Sequence, residues 1–584
     1  DRAQLVVTAD GTTVFERALV SGKGKGEWKQ ERFMQEWNVY QNFFDRTYEA
    51  RIPPGTREIR IANTTGDWMT VGEFELDPGR AAARPPLDVY ALAGTSRALV
   101  YLKHADLDWM RVSAGTAIIP CPPATLALPG LHAGDYRVEA ANVANGDRGA
   151  ATSATSDAGG VVVPLPAVPT AVALDIRSVQ PGLIPGRARA WRAALTAHLQ
   201  QNHLGFWLRH GPDDVHGGFH GSLDREGTPD LASPKSLVQQ SRILWTFAAA
   251  HKSFPREEYR AAAARAYDYT TKHFWDDAAG GWFWSLSADG KPLDAHKHLY
   301  GQSFMLYGLA EYARAFHDQE ALALALKTFR LFDAKAHDAV HGGYLEAWTR
   351  EWTPEPKDHP IGPPDKKSDN THLHLLESFT ALVRASNDPL ARQRLLELHD
   401  LFLTKITAPE GYAHIYLAPN WTPVPGDTSY GHDVEEAWLL LDADDVLGRP
   451  AAAACARLAK ALVDRSLKYG YDHALGGLYE GGPITGPATV RTKTWWAQAE
   501  LLVGLLAVHE RTGYPKYFDF FEHELRWIFN NLVDDEFGSW YPTVGANGTV
   551  TETWKASPWK GPYHDGRACL ESIRRLGMIA RSGR

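Results

Sequence analysis

The feature that most constrains this chain is an internal period. Short glycine segments, most with an aromatic residue alongside, recur along it: HGGF at 216–219, GGW at 280–282, HGGY at 341–344, EGY at 410–412, GGL at 476–478 and FGSW at 537–540. Between Gly218, Gly281, Gly343, Gly411, Gly477 and Gly538 the steps are 63, 62, 68, 66 and 61 residues. An aspartate precedes most of them by a few positions, at Asp214, Asp277, Asp338, Asp472 and Asp535. A fixed period of this kind signals a repeated supersecondary unit. The intervals carry apolar stretches at helical spacing, such as 237–250, 302–316, 374–385 and 500–509, and each interval has room for two helices. Six helix–hairpin–helix units predict a closed double ring, an all-α (α/α)6 barrel over residues 185–584. An open α-solenoid is the alternative, but its repeats are shorter and give the aromatic hairpins no role.

Residues 1–180 follow a different grammar. Residues 56–76 hold two alternating stretches around a Thr-Thr-Gly-Asp turn, and 97–117 and 136–141 read as further strands. Residues 77–86 (DPGRAAARPP) read as a linker, and 180–185 (QPGLIP) as the boundary between the two regions. The expectation is an all-β, sandwich-like accessory region of one or two small modules. A chain of 584 residues is long enough for two or three domains. With 44% hydrophobic residues, 22% charged and no run near the roughly 20 apolar residues of a membrane span, it reads as globular with no membrane partner. No secretory leader is visible at the start. A net charge of -9 without a basic block argues against a nucleic-acid partner. The three cysteines, Cys121, Cys455 and Cys569, form no C-x-x-C motif and read as buried free thiols. Twenty tryptophans suit either a large aromatic core or the stacking of sugar rings.

Several segments can carry chemistry. Arg242 interrupts an apolar stripe shared with Val238, Trp245 and Ala249, which is unfavourable unless something pairs with it. Asn370, His374 and Glu377 share one helical face; His432, Glu435 and Glu436 share another, two repeats' worth of the same His-then-Glu pattern. A metal site is one reading of such pairs, but helical di-metal sites place Glu before His, so no metal is expected. Residues 554–571 crowd Trp559, Tyr563 and His564 at the start of the last helix; Trp495 and Trp496 open another, and Tyr300 follows His298.

Taken in order, GGFHGSLD, KSLVQQSRILWTF, KHLYGQSF, NTHLHLLESFTAL, YGHDVEEAWLL, KTWWAQAE and WKGPYHDGR resemble the N-acylglucosamine 2-epimerase superfamily, and within it the cellobiose and mannobiose 2-epimerases. The resemblance spans about residues 190–580. It implies an (α/α)6 barrel that inverts C2 of the reducing-end sugar of a β-1,4-linked disaccharide, with no cofactor. It also implies His432 and His564 as the acid/base pair, His374 as an assisting histidine, and Arg242, Tyr300, Asn370, Glu435, Trp438, Trp495 and Trp559 as substrate contacts. Residues 1–180 lie outside the usual family pattern and resemble β-modules appended to polysaccharide-degrading enzymes.

The chemistry suits these residues. A base removes the C2 proton of an open-chain sugar, an enediolate forms, and an acid returns a proton to the other face. Histidine's ordinary pKa of about 6.5 fits both roles, and a fixed cation such as Arg242 would stabilise the enediolate. Glu435 would orient His432 or bind a sugar hydroxyl. No Gly-rich phosphate loop suggests a nucleotide cofactor. The alternatives are an aldose–ketose isomerase of the mannose type, an (α/α)6 glycoside hydrolase using paired carboxylates such as Asp433, Glu435, Glu436, Asp535 and Glu536, and a non-catalytic carbohydrate-binding protein. A monomer is the favoured oligomeric expectation. Family resemblance points to the cytoplasm, the β region to export.

Overall fold

The computed structural model describes residues 183–582 apart from 357–361 and 449–452, and most of residues 2–178 in separate segments. The chain divides into two compact units, Asp1–Leu183 and Ile184–Arg584.

In the first unit, β1 (Arg2–Ala9) pairs antiparallel with β2 (Thr12–Val20) and with β5 (Ile59–Asn63), while β3 (Gln30–Met34) and β4 (Val39–Phe43) form a separate hairpin. Eight further strands make one sheet in the order β6-β7-β8-β13-β10-β11-β12-β9: β6 (Met69–Thr70), β7 (Leu87–Ala93), β8 (Arg97–His104), β9 (Ala124–Leu128), β10 (Gly134–Asn142), β11 (Thr152–Asp157), β12 (Gly160–Leu165) and β13 (Ala171–Ser178). Strict alternation along β8 buries Ala98, Val100 and Leu102 in a core shared with Tyr136, Val163, Leu174 and Ile176. The two halves of residues 56–76 were expected to face each other across a turn. Instead β5 joins β1 and β6 joins β7, in different sheets. The expected linker at 77–86 lies outside the described residues, as do 180–182 of the expected boundary.

The second unit is built from helix pairs. Its first helix, α1 (Leu183–Ala197), continues through a π-helical turn at His198–His203 into α2 (Leu204–His210). Inner and outer helices then alternate: α3 (Leu237–Ser253) and α4 (Glu257–His273), α5 (Leu299–Phe316) and α6 (Gln319–Ala336), α7 (Asp369–Ser386) and α8 (Pro389–Leu401), α9 (Tyr430–Leu447) and α10 (Ala453–Arg465), α11 (Trp495–Thr512) and α12 (Pro515–Asn531), and last α13 (Tyr563–Ser582). Each inner helix packs on the next, α3 to α5, α7, α9, α11 and α13, and α13 returns to α3, so the six close a cycle. Each of α4, α6, α8, α10 and α12 packs on the inner helix before it, and the π-helical turn after α1 packs on α13. Inner helices are buried on every side, as in α3, where every residue from Leu237 to Ala250 is buried. Side-chain caps from Asp318, Ser368 and Asp388 start α6, α7 and α8, and left-handed residues at His317, Asn387, Gly448 and Gly513 stop α5, α7, α9 and α11.

The periodic glycines are hairpin residues, and Gly218, Gly281, Gly343, Gly411, Gly477 and Gly538 all have positive φ, between 66° and 98°. A recurring staple ties five of these hairpins to the start of an inner helix. Lys235, Lys297, Lys367, Lys493 and Lys555, each fully buried or nearly so, donate to Asp213, Asp276, Asp338, Asp472 and Asp534 at 2.7–3.1 Å. In three hairpins the pairing aspartate is therefore Asp213, Asp276 or Asp534, one residue before the Asp214, Asp277 or Asp535 singled out in the sequence. Asp213 Oδ1 also accepts the backbone N–H groups of Val215 and His216, which fixes the turn from inside. Five residues after four of these lysines a second anchor recurs: Gln240 bonds both backbone groups of Phe219, Gln302 those of Trp282 and Gln498 those of Leu478, while His372 accepts from Tyr344 N–H. The fourth repeat has Thr428 in the lysine position. There Asp433 accepts from Ala413 N–H and from Thr428, and Arg465 of α10 supplies the cation at 3.2 Å. Among the described residues, no helix is long and apolar enough to cross a membrane. All three cysteines are free and buried.

Candidate active site

The staple sets the register of the inner helices, and counting from it locates the site. Seven residues past Lys235, Lys367, Thr428 and Lys493 stand Arg242, His374, Glu435 and Glu500; three past Lys297, Lys367 and Lys493 stand Tyr300, Asn370 and Trp496. Positions three and four apart share a helical face, so each helix turns its first two turns toward the same centre.

On one side, Arg242 is 3% exposed. Its Nη1 donates to the carbonyl of Trp559 at 2.7 Å and its Nη2 to Tyr300 OH at 2.9 Å, and its guanidinium lies 4.2 Å from the Phe304 ring centre. Among the described residues no ion pair joins it to a carboxylate, and its buried Nε has no partner. A buried cation with only neutral acceptors is an anion site in waiting. Tyr300 in turn packs edge-on against His374, 5.1 Å between centres, and His374 Nδ1 lies 3.0 Å from Glu377 Oε2.

On the other side, His564 Nδ1 lies 2.6 Å from Glu500 Oε1, whose second oxygen accepts from Trp438 Nε1 at 2.9 Å. His432 and His564 both abut the Trp496 indole, at 4.7 and 5.9 Å between ring centres. His432 is half-buried and no hydrogen bond to a described residue occupies its ring. Gly431 makes this possible, because a Cβ there would lie 2.5 Å from the Trp496 ring. Trp495 packs against His564 at 6.3 Å. Asn370 Oδ1 and Trp495 Nε1 are buried polar atoms without partners. Trp559, 38% exposed, forms the rim with Trp284, 6.1 Å away.

Burial sets the electrostatics. It lowers His432 to about 4, and lowers His374 and His564 well below 6.5, helped in both by the charge of Arg242. All three imidazoles are therefore neutral at pH 7. Burial pushes Glu500 up to about 8, against the pull of the Trp438 N–H and Arg242. Burial and then the neighbouring Glu500 raise Glu435 well above the carboxylate range. Two acids and three neutral bases thus face one enclosed space with a fixed cation, a set able to move protons on either side of a carbon acid.

The family model described as N-acylglucosamine 2-epimerase matches residues 217–567. The chain belongs to the N-acylglucosamine 2-epimerase family. The cellobiose 2-epimerase of Bacteroides fragilis is 34% identical over 384 residues, covering 63% of this chain and 95% of that protein. The solved cellobiose 2-epimerase of Spirochaeta thermophila is 37% identical and superposes with a TM-score of 0.62 over 68% of this chain and 99% of that one, so the helical unit has the (α/α)6-type fold of epimerases. The D-mannose isomerase of Marinomonas mediterranea is 25% identical over 62% of this chain and 93% of that protein. As a member of this family the chain is an isomerase of the epimerase type, and about 200 N-terminal residues lie outside the matched domain.

This epimerase-family centre contains the residues singled out in the sequence: His374, His432, His564, Arg242, Tyr300, Glu435, Trp438 and Trp495 surround one space, with Asn370 at the start of α7 and Trp559 at the rim. Glu436 does not join them. It accepts from Thr407 Oγ1 behind α9, one residue and so about 100° round the helix from Glu435. Three contributors escaped the sequence reading as site residues: Glu500, Trp496 and Arg567. Arg567 donates to Glu377, Glu435, Glu500 and Tyr563 OH. Glu500 had a signal, since it repeats the seven-residue offset of Arg242 and His374 from their lysines.

Proposed function

We propose that the protein is a cofactor-independent 2-epimerase acting on the reducing-end sugar of a β-1,4-linked disaccharide of the cellobiose or mannobiose type. His432 and His564 exchange the C2 proton on opposite faces of an enediolate. The observation that carries the reading is the placement of these two neutral imidazoles against one indole, together with an Arg242 guanidinium that, among the described residues, no carboxylate pairs with directly. The histidine that takes the C2 proton must start unprotonated, and the lowered values provide that at pH 7; its partner must take up a proton from solvent in the substrate complex to return it to the other face, and the two exchange these states with each turnover. Arg242 and the Tyr300 hydroxyl lie together where an enediolate oxygen can be met by preorganised donors. Trp495 and Trp559 offer apolar ring faces to the sugar, and Asn370 Oδ1 offers an acceptor to a hydroxyl. The cellobiose 2-epimerases among the relatives support the substrate class.

Incubation with cellobiose and with mannobiose in deuterated water, followed by NMR, tests this. The expected result is a C2-inverted product carrying deuterium at C2. A ketose product would make the protein an aldose–ketose isomerase instead, and release of monosaccharides a hydrolase.

A further inference from the structure

One guanidinium lies behind both of the deepest histidines. Arg567, on the first turn of α13, is 1% exposed and sandwiched between rings, with Trp438 at 4.8 Å and Tyr563 at 4.4 Å from its carbon. Its Nη1 donates to Glu377 Oε1, and its Nη2 to Glu500 Oε1 at 2.7 Å and Glu435 Oε1 at 2.5 Å. Glu377 is the carboxylate that His374 Nδ1 meets, and Glu500 the one that His564 Nδ1 meets. Two histidine–carboxylate pairs on three helices therefore converge on a single cation that is too enclosed to touch a sugar.

An ionised carboxylate has acceptors and no donor. Facing a carboxylate in that state, each imidazole must carry its proton on Nδ1; the bonded guanidinium favours ionisation of Glu377 and of Glu500, and opposes the burial that raises Glu500 to about 8. A neutral imidazole has only one N–H, so Nε2 is left as the basic nitrogen. The other groups facing these rings favour the same state. Arg242 from α3, His432 from α9 and Lys560 ahead of α13 disfavour a second proton on His564; Arg242, Arg567, His564 and His432 do so for His374, whose remaining neighbours are the Tyr300 and Phe304 rings. His432 has no carboxylate partner among the described residues and is free of this constraint.

We propose that Arg567 is a positioning residue for both buried histidines at once: by clamping Glu377 and Glu500 it fixes the Nδ1–H tautomer of His374 and of His564 and so presents both Nε2 atoms to the substrate. Its kinetic consequence rests on the epimerase reading; its consequence for the tautomers does not. Without the guanidinium, three buried carboxyl groups lose their bonded cation and keep their protons to higher pH. Each then offers an O–H as well as acceptors, and nothing selects Nδ1–H.

The test uses the full chain labelled with 15N-histidine, as wild type and as Arg567→Met and Arg567→Lys, with His374→Gln and His564→Gln to assign ring signals. In the wild type, above the value of about 8 to which burial raises Glu500, both rings show an Nδ1–H and a basic Nε2. Arg567→Met abolishes those two Nδ1–H signals, leaves other histidines unchanged, and lowers kcat about 100-fold with KM within about threefold, the signature of a wrong tautomer. Arg567→Lys, one charge without the fork, recovers part of both. A purely structural role would lower Tm while the folded fraction kept both tautomers, and that result overturns the proposal. Should Arg567→Met fail to fold, the lysine variant decides: unaltered Nδ1–H signals with wild-type kcat would also overturn it. If the wild type exchanges no C2 proton on any disaccharide, the epimerase reading falls, while the ring-nitrogen spectra still decide the role of Arg567.

Discussion

The base of the hairpins and the first two turns of the inner helices are built from the same repeat, yet they differ in what varies. At the hairpins, five of six repeats have the same buried Lys–Asp pair, and the fourth rebuilds it from Thr428, Asp433 and Arg465. Seven residues further on, the first five repeats present Arg242, Phe304, His374, Glu435 and Glu500, four kinds of side chain. The staples hold each helix at a fixed depth, so that a position defined by register alone becomes a place in the centre, and chemistry is written by changing one side chain per repeat. A buried ion pair is a poor source of net stability, but here it fixes geometry six times over.

The comparison predicts that the two regions fail differently. The largest effect is expected at the centre: His564→Ala or His432→Ala should lower kcat/KM by about 10²–10⁴ with Tm nearly unchanged, measured by C2 exchange and calorimetry. Near-normal rates in both would remove these histidines from the mechanism. Next comes the staple. Lys493→Met strands Asp472 and should destabilise the helical unit by about 3–5 kcal/mol in denaturant titration, while turnover per folded molecule stays within a few-fold; a selective loss of turnover would erase the distinction between the regions.

The pH dependence separates them further. The staple aspartates are held below the carboxylate range, Asp276 chiefly by its hydrogen bond from Arg350, with a second from Lys297, and Asp338 and Asp534 by their lysines and, for Asp534, Arg225. Their contribution is present above the usual carboxylate pKa of about 4 and is lost as pH falls through the lower folded values. The central acids have the opposite sign. Burial raises Glu500 to about 8, and in the fourth repeat it raises the staple's own Asp433 to about 7, an exception among the staples, so their contribution is complete below about pH 4 and is lost as pH rises through those values. Tm should therefore pass through a maximum in mildly acid solution, and Glu500→Gln should flatten the alkaline limb alone. The acid limb of kcat/KM should lie below the 6.5 of an ordinary histidine, because burial lowers His432 to about 4. The smallest effect is expected at Gly431→Ala. It should destabilise by about 1–3 kcal/mol through its clash with Trp496, and reduce activity several-fold by moving the ring that His432 and His564 share.

Much of the helical unit was legible because its signals are local: glycines at positive φ, apolar periodicity, and caps. His374 and His432 were legible because they repeat with Glu three residues on, and His564 because WKGPYHDGR resembles the family's segment. Long-range pairings were not. Asp213 and Asp214 are indistinguishable until Lys235, 22 residues away, selects the first of them. Arg567 reads as one more charge in a polar segment until carboxylates from three other helices enclose it. In the β unit, alternation along 97–104 was readable, but which strand pairs with which depends on partners far along the chain, as with Arg97 and Asp175, 78 residues apart.

The order in which the chain emerges gives the ring closure a further consequence. His564 and Arg567 lie on α13, the helix that completes the cycle, and α13 follows every other inner helix in sequence. During synthesis, five inner helices can already have formed while the space between them still lacks one wall and both of these side chains. A nascent chain is therefore expected to gain activity only once α13 has left the ribosome and docked, and a chain cut before α13 to lose activity and closure together.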